Sequence, residues 1–378
     1  MAGISSGSGS YRPQSEVMFS HRRIARAALA LAACAMVVSA PLRAAGPVVG
    51  QSYKVLPPIV RGNLAIFPVL SQRAFDASRL LTLDEGVRSG QVTVTEAGEE
   101  RGLVRPMPDV LPPPPRRGPE VNRLVLYNNS SRPLLLLAGE IVTGGKQDRV
   151  IGADRIVPPN SGPIDLGVFC VEPGRWVASS ANFGSMGAQM AQPSVRTPAM
   201  ADRDQSRVWQ NVRSSNAEMA RNLPAAEAAS VAGTSSYAKV FASPQVAKAE
   251  AEYGGTAGER AILNELRDKG ALGIAVAVNG QMLWADVFAS TDLLARYWPK
   301  LMHSYVAEAM TTAKGGAAPG LQDAELFMSS LGGGREVVET EPGVFRRSDI
   351  TGDGYRVFEL TALLPNTGFI VHMVKMNQ

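Results

Sequence analysis

Residues 272–288 read LGIAVAVNGQMLWADVF. Two apolar runs, 272–278 and 282–288, flank Asn279 and Gly280, the pair that supplies the positive φ of a type I′ turn. The stretch therefore predicts an antiparallel hairpin, and with it a sheet built by antiparallel neighbours. A helix over 259–268, closed by Gly270, precedes the hairpin. Another helix follows it to Met310, with Ser290 as N-cap and Asp292 in the first turn, and Pro299 inside it predicts a kink or a split.

Strand patterns continue in both directions. On the N-terminal side they cover 53–56, 63–70, 91–95, 149–151, 155–157 and 164–172, with Pro68 read at a sheet edge. Residues 123–127 (RLVLY) and 134–138 (LLLLA), joined by a turn at 128–131, predict a second hairpin, whose second arm is apolar on both faces and hence central. Period two along 164–172 puts Ile164, Leu166, Val168, Cys170 and Glu172 on one face, so a carboxylate ends an apolar row. On the C-terminal side, 336–339, 355–360 and 368–375 read as strands. Val208, Trp209, Val212, Met219 and Leu223 suit an amphipathic helix within 200–223. The Ala/Ser/Gly-rich stretch about 224–258 reads as a flexible excursion with room for a short helix, and 106–119 as a polyproline II connector. The expected fold is α+β, with mixed, largely antiparallel sheets and a few packed helices in a single domain over 46–378. Two subdomains separated by the excursion are the alternative.

The chain has 378 residues, of which 45% are hydrophobic and 19% charged, a balance that excludes a disordered chain or a coiled-coil rod. Its 37 glycines and 26 prolines favour turns and short strands over long helices. Residues 27–40 form an uncharged run of fourteen, preceded by Arg22, Arg23 and Arg26 and followed by Ala44, Ala45 and Gly46. That order predicts a secretory signal within residues 1–45, with translation starting at Met18, and a periplasmic or secreted protein. The run is shorter than the ~20 apolar residues of a transmembrane segment, and no later stretch qualifies. Leu31, Ala32, Ala33 and Cys34 have the form of a lipoprotein box. Arg26 leaves only a short apolar run before it, and the run continues past Cys34, which argues against a lipid anchor there.

Removing residues 1–45 takes away five basic residues (Arg12, Arg22, Arg23, Arg26, Arg43) and Glu16, leaving 33 basic and 33 acidic residues. The mature chain is formally neutral, so it lacks the charge of a nucleic-acid partner. It also keeps a single cysteine, Cys170, which excludes an internal disulfide.

Two clusters carry candidate chemistry. The first, 139–149 (GEIVTGGKQDR), follows an apolar strand and offers three glycines, Glu140, Lys146, Gln147 and Arg149, as a polar ligand site would need. It is not a P-loop, because Glu140 stands where the first glycine belongs and Gln147 replaces the Ser/Thr. The competing reading is a tight turn with an ordinary salt bridge. The second, 170–176 (CVEPGRW), contains Cys170, Glu172, Arg175 and Trp176. A thiol nucleophile would need His303 or His372 as its base; the competing reading of Cys170 is a small buried hydrophobe. One cysteine and two scattered histidines make no usual metal site, and no cofactor loop is visible.

These pieces, GE (139–140), GGKQDR (144–149), VPP (157–159) and CVEPGRW (170–176), resemble the ARG and rhodanese-phosphatase-superfamily-associated protein domain family. The likeness extends through Trp209, the Asn279-Gly280 hairpin and 298–309. The family pattern often has Ala where Gly145 stands and Asn where Asp148 stands. The resemblance implies a domain without an established reaction. Its name invites a link to ADP-ribose or NAD, which the predicted export argues against.

Two functions follow as expectations. One is a non-enzymatic module, with Glu140, Lys146, Gln147, Arg149, Glu172, Arg175 and Trp176 lining a pocket for a small ligand or a protein partner. The other is a glycosidase-like hydrolase in which Glu140 and Glu172 divide acid and base roles, their carboxyls about 5 to 9.5 Å apart, with Arg149 or Arg175 steadying negative charge. Both require the two clusters to meet, with Glu140 or Glu172 touching a basic residue of the other segment.

Overall fold

In the computed structural model of the chain, Gly273–Val278 pairs antiparallel with Gln281–Phe288, and Asn279 and Gly280 take φ values of 50° and 83°. The structure describes residues 52–97, 123–174, 180, 182–184, 189–312, 315–329, 331 and 333–378. The expected signal region, the 106–119 connector, Arg175 and Trp176 lie outside these residues.

The hairpin is the middle of a nine-stranded antiparallel sheet. The order runs Tyr53–Val55, Leu64–Ser71, Gly273–Val278, Gln281–Phe288, Ile370–Asn377, Tyr355–Ala362, Phe345–Gly352 and Arg335–Glu341, with Ile59–Arg61 also on Leu64–Ser71. Leu64–Ser71 is an interior strand, so Pro68 does not lie at the sheet edge expected from the sequence. Tyr53–Val55 pairs with residues 69–71 and Ile59–Arg61 with 64–66, so Pro68 faces the gap between them and loses no ladder bond there.

Both faces of the central strands are buried, which explains their unbroken apolar runs. Leu64, Ile66, Ile274, Val276, Trp284 and Phe288 belong to one core, under the helices Gln205–Asn222 and Thr291–Thr311. Ala65, Phe67, Val69, Ala275 and Val287 belong to another, capped by Phe327 and Met328 of Leu321–Ser329. Period two places Asp286 between Trp284 and Phe288 on the first face.

A six-stranded sheet runs Asn182–Phe183, Val92–Glu96, Arg123–Asn128, Ser161–Cys170, Arg149–Ile151 and Ile141–Val142. A three-stranded one runs Arg155–Val157, Leu134–Leu136 and Leu81–Thr82, its last pair parallel. The fold is thus α+β with mixed, largely antiparallel sheets.

The expected 123–138 hairpin does not form, because its arms enter different sheets. The Asn128 side chain donates to the carbonyls of Arg132 and Pro158 at 2.9 Å each, and the Ser130 hydroxyl donates to Arg132 at 2.8 Å. These bonds knot the turn and send Leu134–Leu136 to the centre of the three-stranded sheet, where it is fully buried.

Helix signals transfer well. Ser290 accepts from the Leu293 amide at 3.2 Å, and Thr291–Thr311 runs as one helix through Pro299 instead of splitting. Asp204 caps Gln205–Asn222, accepting from Ser206 and Arg207 at 2.8 and 3.1 Å. The 224–258 stretch is more regular than a flexible excursion. It forms Ala225–Ala232, Tyr237–Phe241, Pro244–Glu250 and a 3-10 turn, and buries Val231, Tyr237, Phe241, Val246 and Tyr253.

Candidate functional site

The two motif clusters meet in register. Ser161–Cys170 pairs with Arg149–Ile151 so that Cys170 stands opposite Arg149. The Val171 amide donates to the Asp148 carbonyl at 3.1 Å, and the Asp148 amide donates to the Glu172 carboxylate at 3.4 Å. The contact from Glu172 to the first cluster is thus to a backbone amide. The thiol of Cys170 is buried, which pushes its pKa up to about 11. His303 faces Glu250, and His372 lies between two aspartates, so carboxylates occupy both candidate bases.

Within the GGKQDR loop the polar groups are mostly closed. Arg149 is buried with its guanidinium 3.6 Å from Glu96, and the same carboxylate accepts the Lys146 amide at 3.0 Å. Lys146 itself is half-buried. Asp148 accepts from the Gly144 amide at 3.2 Å and from Ser236, on the 224–258 stretch, at 3.1 Å. Gly145 has φ 50°, and a Cβ there would lie 2.4 Å from the Phe183 ring and 2.7 Å from Glu96, so this position requires glycine here.

Gln147 is the exception. It is fully buried, yet neither its amide nitrogen nor its amide oxygen has a hydrogen-bond partner among the described residues. Buried amides are normally paired, and one left unpaired costs about 1–3 kcal/mol.

Glu140 takes its cation from a third element, not from the second cluster. Its carboxylate accepts Lys300 Nζ, from Thr291–Thr311, at 2.6 Å and the Leu137 amide at 2.7 Å. Lys300 also reaches Asp84 at 2.5 Å. Burial raises the Glu140 pKa against the pull of Lys300. For Lys300, burial pulls downward, but Glu140 and Asp84 together hold it above its ordinary value.

A second buried network is centred on Asp286. Arg196 grips its carboxylate through both terminal nitrogens, at 3.1 and 3.0 Å, Tyr305 donates to it, and His372 Nε2 lies 3.1 Å away. The other imidazole nitrogen, Nδ1, is 2.6 Å from Asp154, which also accepts the Ala138 amide at 2.7 Å. Burial alone would lower His372, but Asp154 and Asp286 raise it to about 9. Asp286 is held well below the usual carboxylate range, Arg196 and His372 outweighing burial. With both nitrogens donating to carboxylates, His372 is a charged cross-link with no lone pair for a substrate proton. Gly139, at φ 95°, keeps the room this needs, since a Cβ would sit 2.6 Å from Arg196 Nε.

Sequence reading missed Glu96, Asp286, Asp154, Arg196 and Lys300. Asp286 had a signal, a charge at an inward position of the apolar row 284, 286, 288. Arg196 and Lys300 had none, since their partners are distant in the chain.

The fold and its polar loop define an α+β domain with a buried, densely paired centre. The chain belongs to the ARPP-1 family, the ARG and Rhodanese-Phosphatase-superfamily-associated Protein domain, whose model matches residues 52–376. No curated protein and no solved structure matches the chain.

Proposed function

We propose that this is an exported, non-enzymatic binding domain, acting in the periplasm or outside the cell, whose small ligand engages the GGKQDR loop through Gln147. The observation that carries the reading is the buried, unpaired amide of Gln147. Glu96, Asp148 and Arg149 around it have protein partners, whereas both polar atoms of the Gln147 amide lack one among the described residues. A primary amide offers one acceptor beside two donors, so the fitting ligand presents a donor-acceptor edge of its own, as an amide or a carboxylic acid does. Arg175 and Trp176, in the adjoining cluster, are kept as candidate contacts.

Binding is favoured over hydrolysis because Glu140 is already neutralised by Lys300 and the Leu137 amide, and Glu172 accepts a backbone amide. The basic residues before the uncharged run at 27–40 support export.

The test is a thermal-shift screen of residues 46–378 against small amides and acids, run in parallel on Gln147→Met. Removing the unpaired amide should stabilise the unliganded protein by about 1–2 kcal/mol. It should also abolish the melting shift of any ligand that stabilises the wild type. A hit that shifts both proteins equally would sink the assignment to Gln147.

A further inference from the structure

A cleft of about 220 Å³ lies between the strand Ser161–Cys170 and the meander of Phe345–Gly352 and Arg335–Glu341. It is lined by Arg155, Leu166, Phe169, Arg203, Glu339 and Arg347, and none of the motif residues discussed above reaches it.

Its charges do not cancel. Arg347 is paired with Glu339 and donates to the Asp154 carbonyl at 3.2 Å. Arg155 is paired with Glu341 at 2.8 Å and donates to the Asp165 carbonyl at 3.1 Å. Asp202, next to Arg203, pairs with Arg207 at 2.8 Å, and Asp154 is taken by His372. Glu359 lies with Arg203 in the adjoining hollow, where burial and Glu336 raise its pKa against the pull of Arg346. Arg203 alone among these cations has no side-chain partner among the described residues.

The backbone presents Arg203 in an unusual way. It takes φ 52° and ψ 42°, a left-handed conformation that an arginine rarely adopts, directly after the π-helix Pro198–Asp202. Its amide donates to the Pro198 carbonyl, and Arg356 donates to the Ala201 carbonyl at 2.8 Å, so the surrounding structure holds the turn. A costly conformation held in this way beside a cavity is a feature of ligand sites.

We propose that this cleft is a second binding site, for a small monocarboxylate with an apolar body. The carboxylate is gripped by the Arg203 guanidinium, whose planar fork matches it. The body lies against Phe169, on the strand face opposite the buried Leu166. The apolar surface of Phe169 favours a carboxylate with an apolar body over inorganic phosphate, which has none to place there.

The experiment is isothermal titration of residues 46–378 with benzoate, benzamide and inorganic phosphate. Benzoate should bind, with neither benzamide nor phosphate matching it. Arg203→Asn removes the charge while keeping a residue that tolerates the left-handed region. It should weaken benzoate about 10- to 100-fold and leave the unliganded melting temperature unchanged. Arg203→Lys should restore part of the loss. Gly167→Leu, at a position whose added Cβ meets nothing within 4 Å, fills the cleft and should block binding. Gln147→Met should leave benzoate binding intact, which separates this site from the GGKQDR loop. Failure of benzoate to bind, tighter binding of phosphate, or unchanged benzoate binding in both Arg203→Asn and Gly167→Leu would overturn the proposal.

Discussion

His372 ties two aspartates from distant segments, and its protonation is the most pH-sensitive element of the core. Its folded pKa of about 9 exceeds the unperturbed value of roughly 6.5. A raised folded pKa means that the stabilisation is fully present below about pH 6.5 and is lost as pH rises through about 9. A shift of this size corresponds to about 3 kcal/mol. Lys375, held down to about 8 by burial, works in the opposite sense above that pH, so the comparison must isolate His372. Urea unfolding of wild type and His372→Gln at pH 6 and pH 9.5 should show the larger alkaline loss in the wild type. Equal losses would mean that His372 is not charged in the fold. At this scale the sequence was informative where local pattern speaks. It placed Cys170 on an apolar row, and it marked Gln147 and Asp148 as members of one polar loop. It was silent on Lys300 and Arg196, because a buried ion pair formed across 160 or 90 positions leaves no trace in either neighbourhood.

The helix Thr291–Thr311 supplies two cations, Arg296 to Glu85 and Lys300, and several hydrogen-bonding groups to the segments packed around it. Lys300 answers Asp84 and Glu140, Ser304 donates to the Ala191 carbonyl at 2.7 Å, and Glu308 accepts the Ser194 amide at 2.9 Å. Replacing Lys300 by Met would strand two buried carboxylates, which should cost about 3–5 kcal/mol in urea unfolding. Glu140→Gln keeps an acceptor for the Leu137 amide and should cost less, about 1–3 kcal/mol. Combining them should cost less than their sum, because the second change removes part of what the first left unpaired. Strict additivity would show that the two groups do not interact. The element pattern was readable wherever both flanks carried a cap or a turn, as at Ser290 and Asn279-Gly280. It failed for Phe345–Gly352, whose residues FRRSDITG show no alternation because both of its faces are only partly covered. It also failed for 134–136, where the apolar run correctly implied a central strand but could not say which sheet it joins.

Across the whole molecule, Asp154–His372 and Arg196–Asp286 tie distant segments to the nine-stranded sheet, and Glu140–Lys300 ties the helix Thr291–Thr311 to the segment before Ile141–Val142. Glu140, held by Lys300 and the Leu137 amide, and His372, held between Asp154 and Asp286, already have protein partners, and this is why binding is preferred to catalysis. Under the proposed export, removal of residues 1–45 would leave 33 basic and 33 acidic residues, a balance that points towards small ligands in place of nucleic acid. The most direct measurement follows the Gln147 side chain itself. In 15N-labelled residues 46–378, the side-chain NH2 resonances of Gln147, assigned by their absence in Gln147→Met, are recorded while the stabilising ligand is titrated. They should shift with the ligand's binding curve, and their exchange with solvent should slow as the amide gains its partner. Resonances that stay in place while the melting temperature rises would contradict it.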